Sequence, residues 1–437
     1  MRRTHAAGTL GTVVVWLWLL AAGATPAPAA TSADVAVDPD GNASFAWTGL
    51  YGERTVAEER RRTAAGVFAD SQILSSATND AQGTRVAVAA DGTATYVWTR
   101  YNGTRAVAQT RRRTPAGALS AVQTLSGTTW NASEPQVALA PDGTAIFAWQ
   151  TRDDDGAGFG PAQARSRAPD GTLSAVQNLS AAGLAAGLPR LVIAPDGTAT
   201  FSWLTTDGNT VRDQTRRRLP NGAWGATRDL ATAALSEVGF MTAPQLGVDP
   251  NGRVTFVWAK PGAGGFVLIQ ARRRLADGTL EPTQGVTTAG PDAMDPQVAV
   301  AADGTAAYAW RRGADDAAVI QTRRKPAGGA LTAPATLTPA GANATEPRIG
   351  IAPDGVTTFA WTRSGQVETR RRPAAGGFDT TRVVSTPGAT AEQPDFALGP
   401  GGTTHFVWEE RDSEAPPVIR TRRRTSSGLG TRADVSG

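Results

Sequence analysis

The sequence predicts an all-β chain folded as a single β-propeller of eight blades, each with four antiparallel strands. Two observations support this prediction. A Gly and a Trp six residues apart recur eight times, and successive tryptophans of these pairs lie 47 to 55 residues apart, the period of a four-stranded unit repeated around an axis. In addition, 49 Gly and 28 Pro separate short runs rich in Val, Thr, Phe and Trp, as expected for strands joined by tight turns. The glycines are Gly41, Gly92, Gly143, Gly197, Gly252, Gly304, Gly355 and Gly402. The tryptophans are Trp47, Trp98, Trp149, Trp203, Trp258, Trp310, Trp361 and Trp408.

The first 30 residues have the pattern of an export signal. Arg2 and Arg3 precede an apolar run over residues 10–24, and small residues at 27–30 supply a cleavage site. The apolar run is shorter than the roughly 20 residues that a membrane span requires. We therefore expect a secreted, extracellular protein without stable membrane insertion, with residues 31–437 forming one monomeric propeller.

The third repeat shows the first half of the unit. Residues 134–140 form a short apolar strand A, Pro141-Asp142-Gly143 is a tight hairpin turn, and residues 144–150 form strand B. Alternation along strand B places Phe147 and Trp149 on one face. The same aromatic-x-Trp pair recurs in every copy, so the eight tryptophans are predicted to be structural residues packed between neighbouring blades.

The second half of the unit begins with the arginine-rich strand C, for example Gln-Thr-Arg-Arg-Arg at 109–113. A second turn over 115–117 leads into the more polar strand D at 119–125. The gradient from apolar A to polar D predicts that strand A lines the axis. The first strand A begins at Asp34 and residues 429–436 form the last strand D, so both chain ends are expected at a blade boundary.

This repeat resembles those of secreted bacterial β-propellers and, more distantly, the Asp-box (BNR) propellers that include sialidases. The Asp-box motif is Ser/Thr-x-Asp-x-Gly-x-Thr-Trp on a hairpin. Here Asp196 directly precedes Gly197, and Trp203 follows six residues after that Gly. Because the motif is structural in those families, the resemblance implies a propeller and assigns no catalytic residue.

Composition excludes several kinds of site. The net charge of +4, from 43 basic and 39 acidic residues, is a small basic excess that does not suggest nucleic-acid binding. The chain has no Cys, and His405 is the one His after the signal segment, so thiol chemistry and multi-His metal sites are not expected. His405 follows the strand B pattern beside Phe406 and is predicted to be structural. We predict no metal and no cofactor.

The arginine runs are the first candidate binding site. Arg111, Arg113, Arg216 and Arg218 end strand C just before the C–D turn, on the face that carries the Pro-Asp-Gly turns. A ring of such guanidinium groups would bind an acidic polysaccharide or a phosphate polymer. The alternative is that Arg111 and its counterparts pair within the protein, and the small net charge favours this alternative. The aspartates proposed as their partners are Asp91, Asp142, Asp196, Asp303 and Asp354.

The second candidate is acidic. Glu134, Asp295 and Glu346 directly precede the Pro of strand A, and Glu392 lies two residues before Pro394. If strand A is innermost, these carboxylates gather near one mouth of the channel, where they would bind Ca²⁺, a basic group or a sugar. The alternative is a solvated loop between blades. The variable B–C loops share this face, including the acidic stretches at 153–155 and 409–414.

These features predict a non-enzymatic binding scaffold for a carbohydrate or a cell-envelope polymer, or for a protein partner. One alternative is a sialidase-like glycoside hydrolase, for which Tyr51 and Tyr101 are the available loop tyrosines. Another is a quinone-dependent dehydrogenase, since eight-bladed propellers occur in that class. The repeats here lack the Thr-Gly step before the Trp that is typical of those enzymes.

Overall fold

The computed structural model describes residues 30–153, 158–235, 241–314, 316–411 and 416–436. Within these residues, 32 strands form eight antiparallel four-stranded sheets, each built from four consecutive strands. The predicted eight-bladed propeller is therefore confirmed. Residues 1–29 of the predicted export signal lie outside the described residues. The same is true of Asp154, Asp155 and residues 412–414, which belong to the predicted acidic loops.

Blades 1 to 4 contain the first sixteen strands. Blade 1 comprises β1 (Ala30–Val37), β2 (Ala43–Tyr51), β3 (Arg54–Arg62) and β4 (Gln72–Ile73). Blade 2 comprises β5 (Ala81–Val88), β6 (Ala94–Tyr101), β7 (Ala106–Arg113) and β8 (Gln123–Thr124). Blade 3 comprises β9 (Asn131–Leu139), β10 (Ala145–Arg152), β11 (Gln163–Arg167) and β12 (Gln177–Asn178). Blade 4 comprises β13 (Ala185–Ile193), β14 (Ala199–Thr206), β15 (Thr210–Arg218) and β16 (Arg228–Ala234).

Blades 5 to 8 contain the remaining strands. Blade 5 comprises β17 (Gln245–Val248), β18 (Val254–Pro261), β19 (Val267–Arg274) and β20 (Gln284–Gly285). Blade 6 comprises β21 (Ala293–Val300), β22 (Ala306–Arg312), β23 (Val319–Lys325) and β24 (Ala335–Thr336). Blade 7 comprises β25 (Ala344–Ile351), β26 (Thr357–Arg363), β27 (Gln366–Arg372) and β28 (Arg382–Val383). Blade 8 comprises β29 (Thr390–Leu398), β30 (Thr404–Arg411), β31 (Val418–Thr425) and β32 (Gly428–Asp434). Two 3-10 turns lie at Ala263–Gly265 and Pro400–Gly402.

Ring closure follows the predicted strand phase. Consecutive A strands contact each other around the ring, and β1 contacts β29, so strand A is innermost and blade 8 meets blade 1. No strand is exchanged between these two blades in the described residues, because β1 to β4 form one sheet and β29 to β32 another. The axis of the molecule is therefore lined by eight A strands.

The repeated tryptophans form the packing between blades. In blade 2, Tyr96 and Trp98 pack against Ala46, Ala57 and Leu74 of blade 1, and equivalent clusters join the other blades. Burial of one large aromatic pair at every interface, repeated around a closed ring, supplies the main stabilisation in a chain without disulfides. Each of the eight is at most 1% exposed, namely Trp47, Trp98, Trp149, Trp203, Trp258, Trp310, Trp361 and Trp408.

The polar consensus of strand C also serves the fold. Gln163 lies opposite Trp149 on the B–C ladder and accepts a hydrogen bond from its Nε1 at 3.1 Å. The Thr that follows in the consensus bonds to strand B, as where Thr110 Oγ1 donates to the Tyr96 carbonyl at 2.7 Å. These bonds satisfy buried polar groups that would otherwise destabilise the sheet.

The residue opposite the Trp on strand C varies between blades. It is Gln270 opposite Trp258 and Gln321 opposite Trp310, as in the consensus. In blade 1 it is Glu58, opposite Trp47, and in blade 7 it is Glu368, opposite Trp361. The blade 7 glutamate accepts from the indole Nε1 at 2.9 Å. In blade 8, Trp408 Nε1 donates instead to Glu410 Oε2, at 2.9 Å. A carboxylate can therefore replace the glutamine as acceptor.

Candidate functional site

The first arginine of each strand C run joins two blades. Arg111 Nε donates to the Ser120 carbonyl of its own blade at 2.6 Å, and its Nη1 donates to the Leu74 carbonyl of the preceding blade at 3.2 Å. The planar guanidinium is suited to this forked contact. The same pair of contacts, to the outer strand of its own blade and of the preceding blade, is made by Arg60, Arg165, Arg216, Arg272, Arg323, Arg370 and Arg422.

The second arginine reaches forward to the next blade. Arg112 Nη1 donates to the Pro169 carbonyl in the C–D turn of blade 3 at 2.6 Å. Four other second arginines make the corresponding contact with the following blade: Arg61, Arg217, Arg324 and Arg423. Because the last of these reaches the Ala64 carbonyl of blade 1, the network continues across the point of ring closure.

The third arginine differs between blades. Arg113 is 4% exposed and forms an ion pair with Glu59 of blade 1, with Nε 3.0 Å from Oε1. Arg218 Nη2 lies 3.5 Å from Ser166 Oγ of blade 3. All four predicted arginines, Arg111, Arg113, Arg216 and Arg218, therefore direct a donor toward a neighbouring blade. Ligand binding by these arginines stays a prediction.

The aspartates of the A–B turns stabilise these turns and are not the hydrogen-bond partners of Arg111. Asp196 Oδ1 accepts from the Thr198 amide at 2.8 Å, and Gly197 adopts a φ of +85° to complete the turn. Asp91, Asp142, Asp303 and Asp354 make the same bond two residues ahead. The hydrogen-bond partners of Arg111 are backbone carbonyls, so its proposed pairing with these aspartates is wrong.

We expect Arg111→Lys to lower the free energy of unfolding by about 1–2 kcal/mol, since lysine cannot donate to both blades at once. Urea denaturation measures this change. Arg382→Lys, at an exposed outer position, is the matched control and should change stability by less than about 0.5 kcal/mol. Equal effects of the two changes would contradict the structural function of Arg111.

The start of strand A carries a repeated bulge. In seven of the eight A–B pairs of the described residues, two residues of strand A lie opposite the Trp of strand B. The first residue of this pair has a positive φ in six blades: Gly83, Glu134, Leu188, Asp295, Glu346 and Gln393. A non-Gly residue in this conformation costs about 1–3 kcal/mol, so a repeated bulge suggests that the direction of the following side chain matters.

Three of the predicted acidic residues, Glu134, Asp295 and Glu346, are the first residue of this bulge, and Glu392 directly precedes it. Asp295 Oδ2 is 3.1 Å from Arg311 Nε, and Glu346 Oε2 accepts from the Gln393 amide of the next blade at 2.9 Å. Glu134 and Glu392 are exposed. The structure thus places all four at the same end, and two of them are engaged within the protein. Among the described residues no group of three or more acidic or His side chains could hold a metal ion.

A ring of polar side chains follows the bulge, and sequence analysis missed it. Its members, one from each strand A, each pair with the residue that precedes the Trp of strand B, and all are half-buried. We call this the axial ring, and its members are Asp34, Arg85, Gln136, Arg190, Gln245, Gln297, Arg348 and Asp395.

Three arginines of the axial ring have little hydrogen bonding within the protein. The Nη1 atoms of Arg85, Arg190 and Arg348 donate to the carbonyl of the residue directly before each, at 3.3, 3.2 and 3.2 Å. Burial lowers the pKa of Arg190, Glu134 opposes this effect, and repulsion from Arg85 and Arg348 adds to it. The three guanidinium groups therefore act on one another across the channel, although they come from blades 2, 4 and 7.

Two aspartates complete the charged part of the axial ring. Asp34 Oδ2 accepts from the Val86 amide of the next blade at 2.8 Å, and its Oδ1 accepts from the Val35 amide at 3.0 Å. Burial raises the pKa of Asp34 to about 7; Arg85 opposes the rise and Asp395 adds to it. Asp395 Oδ1 lies 3.8 Å from Arg348 Nε. The aspartates thus form a pair flanked by two of the three arginines.

The repeated tryptophans lie away from the axial ring, in the aromatic clusters between blades. For example, Trp47 packs with Val407 and Ile419 across the point of ring closure. A side chain this deeply buried reaches a ligand only if the blades separate. The same holds for Trp258, Trp310, Trp361 and Trp408 in the second half of the ring. Their burial agrees with the structural function predicted for all eight.

The residues that the enzymatic alternatives require do not form a common site. Tyr51 and Tyr101 end β2 and β6 and are 56% and 48% exposed. His405 is 1% exposed, and burial, with Arg62 and Arg423, lowers its pKa to about 4. A neutral, enclosed imidazole in strand B agrees with the structural function predicted for it. The axial ring is therefore the best candidate site, and its chemistry is that of anion binding.

No protein-family model matches the chain, and no curated protein matches it. The resemblance to Asp-box propellers therefore stays a prediction. No helix in the described parts of the chain is long and apolar enough to cross a membrane.

Solved structures similar to this one include two polysaccharide lyases. Polysaccharide lyase Uly1 is 11% identical over 77% of this chain and 88% of its own, with a TM-score of 0.49. A PL25 ulvan lyase bound to -[GlcA(1-4)Rha3S]- is 10% identical over 79% of this chain and 92% of its own, with a TM-score of 0.48.

Prolyl oligopeptidase B from Galerina marginata, in its apo form, is also similar. It is 11% identical over 89% of this chain and 56% of its own, with a TM-score of 0.49, so this chain spans little more than half of that peptidase. At such identities no activity follows for this chain. The fold and the axial ring define it as an eight-bladed β-propeller with a charged channel.

Proposed function

We propose that this protein is a secreted, monomeric and non-enzymatic binding propeller whose ligand is a polysaccharide or cell-envelope polymer with anionic groups. The observation that carries this proposal is the convergence of Arg85, Arg190 and Arg348 on the channel. Each retains donors beyond its single bond to the preceding carbonyl. A carboxylate, sulfate or phosphate group of the polymer would accept them in a partly desolvated setting, where charge-assisted hydrogen bonds are strong.

The contrast with strand C supports the choice of the axial ring. The first arginine of each strand C run is also cationic, but its donors already bond to backbone carbonyls of two blades, as in Arg111. Adding a ligand there would require breaking contacts that hold the ring together. The arginines of strand A can bind a ligand without that cost, and their position on the axis gives a long polymer access through a channel mouth.

The direct test compares binding of oligogalacturonate and of a neutral dextran oligosaccharide by isothermal titration calorimetry, at low and high salt. Arg190→Gln is expected to weaken oligogalacturonate binding at least about thirtyfold, because glutamine keeps a donor but loses a unit charge that lies against the ligand. Glutamine is suitable because Gln136, Gln245 and Gln297 occupy the same ring position. Arg382→Gln removes the same charge from an exposed outer site and is the matched control.

The outcomes separate the alternatives. Weaker binding in Arg190→Gln, with the control unchanged, supports the axial ring. Equal affinity of both variants for oligogalacturonate would contradict it, and so would equal affinity of the wild type for the neutral oligosaccharide. Turnover of a chromogenic glycoside that is lost in Tyr51→Phe or Tyr101→Phe would favour the hydrolase alternative instead.

A further inference from the structure

A groove of about 310 Å³ opens between blades 3 and 4 on the outer part of the ring, away from the axial ring. Its lining includes Ile146, Ala164 and Ser166 from blade 3, and Arg218 and Trp224 from blade 4. This volume lies at the lower end of the range for small-molecule sites in proteins.

The groove exists because blade 3 departs from the repeat. Ser166 occupies the position of the second strand C arginine, which in the preceding blade is Arg112 and crosses to the next blade. A serine side chain is too short to make that crossing. Ala164 occupies the position of Thr110, so a second side chain at this interface is also smaller. The space that an arginine fills elsewhere is therefore open here.

Blade 4 supplies an aromatic wall. Trp224 forms the bridge to Arg218 that Phe68, Leu119, Leu173 and Leu280 form in other blades. Its ring centroid lies 5.4 Å from that of Phe201, and the Arg216 guanidinium lies 5.0 Å from it. These contacts fix the indole from the side of its own blade. A fixed indole beside an open groove offers a flat surface for stacking.

Polar groups complete the lining. Ser174 Oγ accepts from the Ser166 amide at 3.0 Å, Arg218 Nη2 lies 3.5 Å from Ser166 Oγ, and Gln177 is exposed at the edge. A pyranose ring has an apolar C–H face and a rim of hydroxyl groups. An indole wall with hydroxyl, amide and guanidinium groups around it matches both parts.

We propose that this groove is a second binding site, which holds one pyranose residue of a glycan against Trp224. It deepens the proposed function, since it makes a sugar ring rather than only an anionic group part of the recognised ligand. It does not require the axial ring, because the two sites share no residue and lie at different radii of the disc.

The test is saturation-transfer difference NMR on the full protein with the methyl glycosides of glucose, galactose and mannose, which carry no charge and therefore do not probe the axial ring. At least one should receive saturation with millimolar affinity. Ser166→Arg restores the residue of the other blades and should fold, but it should fill the groove and reduce the transfer at least tenfold. Trp224→Leu, which also restores a residue found in other blades, should have the same effect.

Phe68→Leu is the matched control, since it makes the same aromatic-to-leucine change in blade 1 and should leave the transfer unchanged. Arg190→Gln should also leave it unchanged, which distinguishes failure of this site from failure of the axial ring. No transfer to any glycoside, or equal transfer in the wild type and in Ser166→Arg, would overturn the proposal. Thermal melting confirms that both groove variants are folded.

Discussion

Replacing Arg113 by methionine is expected to lower the free energy of unfolding at pH 7 by about 3–5 kcal/mol, the usual cost of removing one partner from a buried ion pair. Glu59 is 0% exposed; its Oε1 lies 3.0 Å from Arg113 Nε, and its Oε2 accepts from the Tyr96 hydroxyl at 2.7 Å. Without the guanidinium, the carboxylate stays enclosed between blades 1 and 2 with one hydrogen bond. Urea denaturation of both proteins measures the difference.

The cost should depend on pH in a defined direction. Burial already raises the pKa of Glu59, while Arg113 and Tyr96 oppose the rise. In Arg113→Met that pKa rises further, so lowering the pH from 7 to 5 protonates the carboxyl and removes the unpaired charge. We therefore expect a smaller loss of stability at pH 5 than at pH 7. A loss below about 1 kcal/mol at pH 7 would contradict a buried ionic pair.

A second variant separates the ion pair from general damage to the interface. Five other strand C positions equivalent to Glu59 hold threonine, and most positions equivalent to Tyr96 hold phenylalanine. The double change Glu59→Thr with Tyr96→Phe restores both common residues. Combined with Arg113→Met, it should cost less than Arg113→Met alone, because the combined variant leaves neither a carboxylate nor a guanidinium unpaired in the interface. An equal or larger cost would indicate that packing, and not charge, dominates at this interface.

The sequence was sufficient to predict the fold because each blade repeats the same local signals. The six-residue gap from Gly to Trp predicts both the A–B hairpin and the apolar face of strand B. Because there are eight copies, a closed ring is the arrangement that buries this face in every blade. Strand D of blade 8 and strand A of blade 1 were placed by the same pattern. Tertiary packing reinforced the local preferences here, so the prediction held.

The strand C arginines show where sequence reasoning reaches its limit. Their spacing shows that positive charge recurs at one end of every blade, which is compatible with a ligand or with internal pairing. The partners of Arg111 are backbone carbonyls of two outer strands, and carbonyls leave no mark in a sequence. Composition alone could not have identified them, because the acceptors are the same for every residue type.

The axial ring was missed for a different reason. Strict alternation along strand A would place Arg85 and Arg190 by counting back from the apolar residues that follow. The ladder is regular from Arg85 and Arg190 onward, so alternation assigns them correctly to the face opposite those apolar residues, but it does not show that one such residue from every blade meets around the axis. The available signal was the repeated position itself, since the residue after the Pro of strand A is Arg, Gln or Asp in all the blades that have this Pro.

Anion binding in the channel is expected to strengthen about thirtyfold as the pH falls from 8.5 to 5.5. Asp34 is the titrating group, because burial raises its pKa to about 7 while its neighbours in the axial ring are Arg85 and Asp395. Above pH 7 its negative charge repels the ligand; below pH 7 the carboxyl is neutral and the repulsion is lost. Two unit charges about 8 Å apart, at an effective dielectric constant near 20, repel each other by about 2 kcal/mol. This energy corresponds to about a thirtyfold change in affinity. Calorimetric titration with oligogalacturonate at several pH values measures it.

Asp34→Asn provides the control, since its amide oxygen can still accept from the Val86 amide that Asp34 Oδ2 bonds at 2.8 Å. This variant should bind at pH 8.5 as tightly as the wild type does at pH 5.5.

The free energy of unfolding gives an independent measure. A carboxyl whose pKa is raised on folding contributes stability that is present below pH 3.8 and lost as the pH rises through about 7. Asp34→Asn should therefore be more stable than the wild type at pH 8.5. Higher stability without a change in binding would show that Asp34 titrates but that the anion binds elsewhere. If neither the affinity nor the stability of the wild type changed between pH 5.5 and 8.5, Asp34 would not titrate in this range and the prediction would be wrong; Arg85 would then outweigh burial and keep the carboxyl ionised.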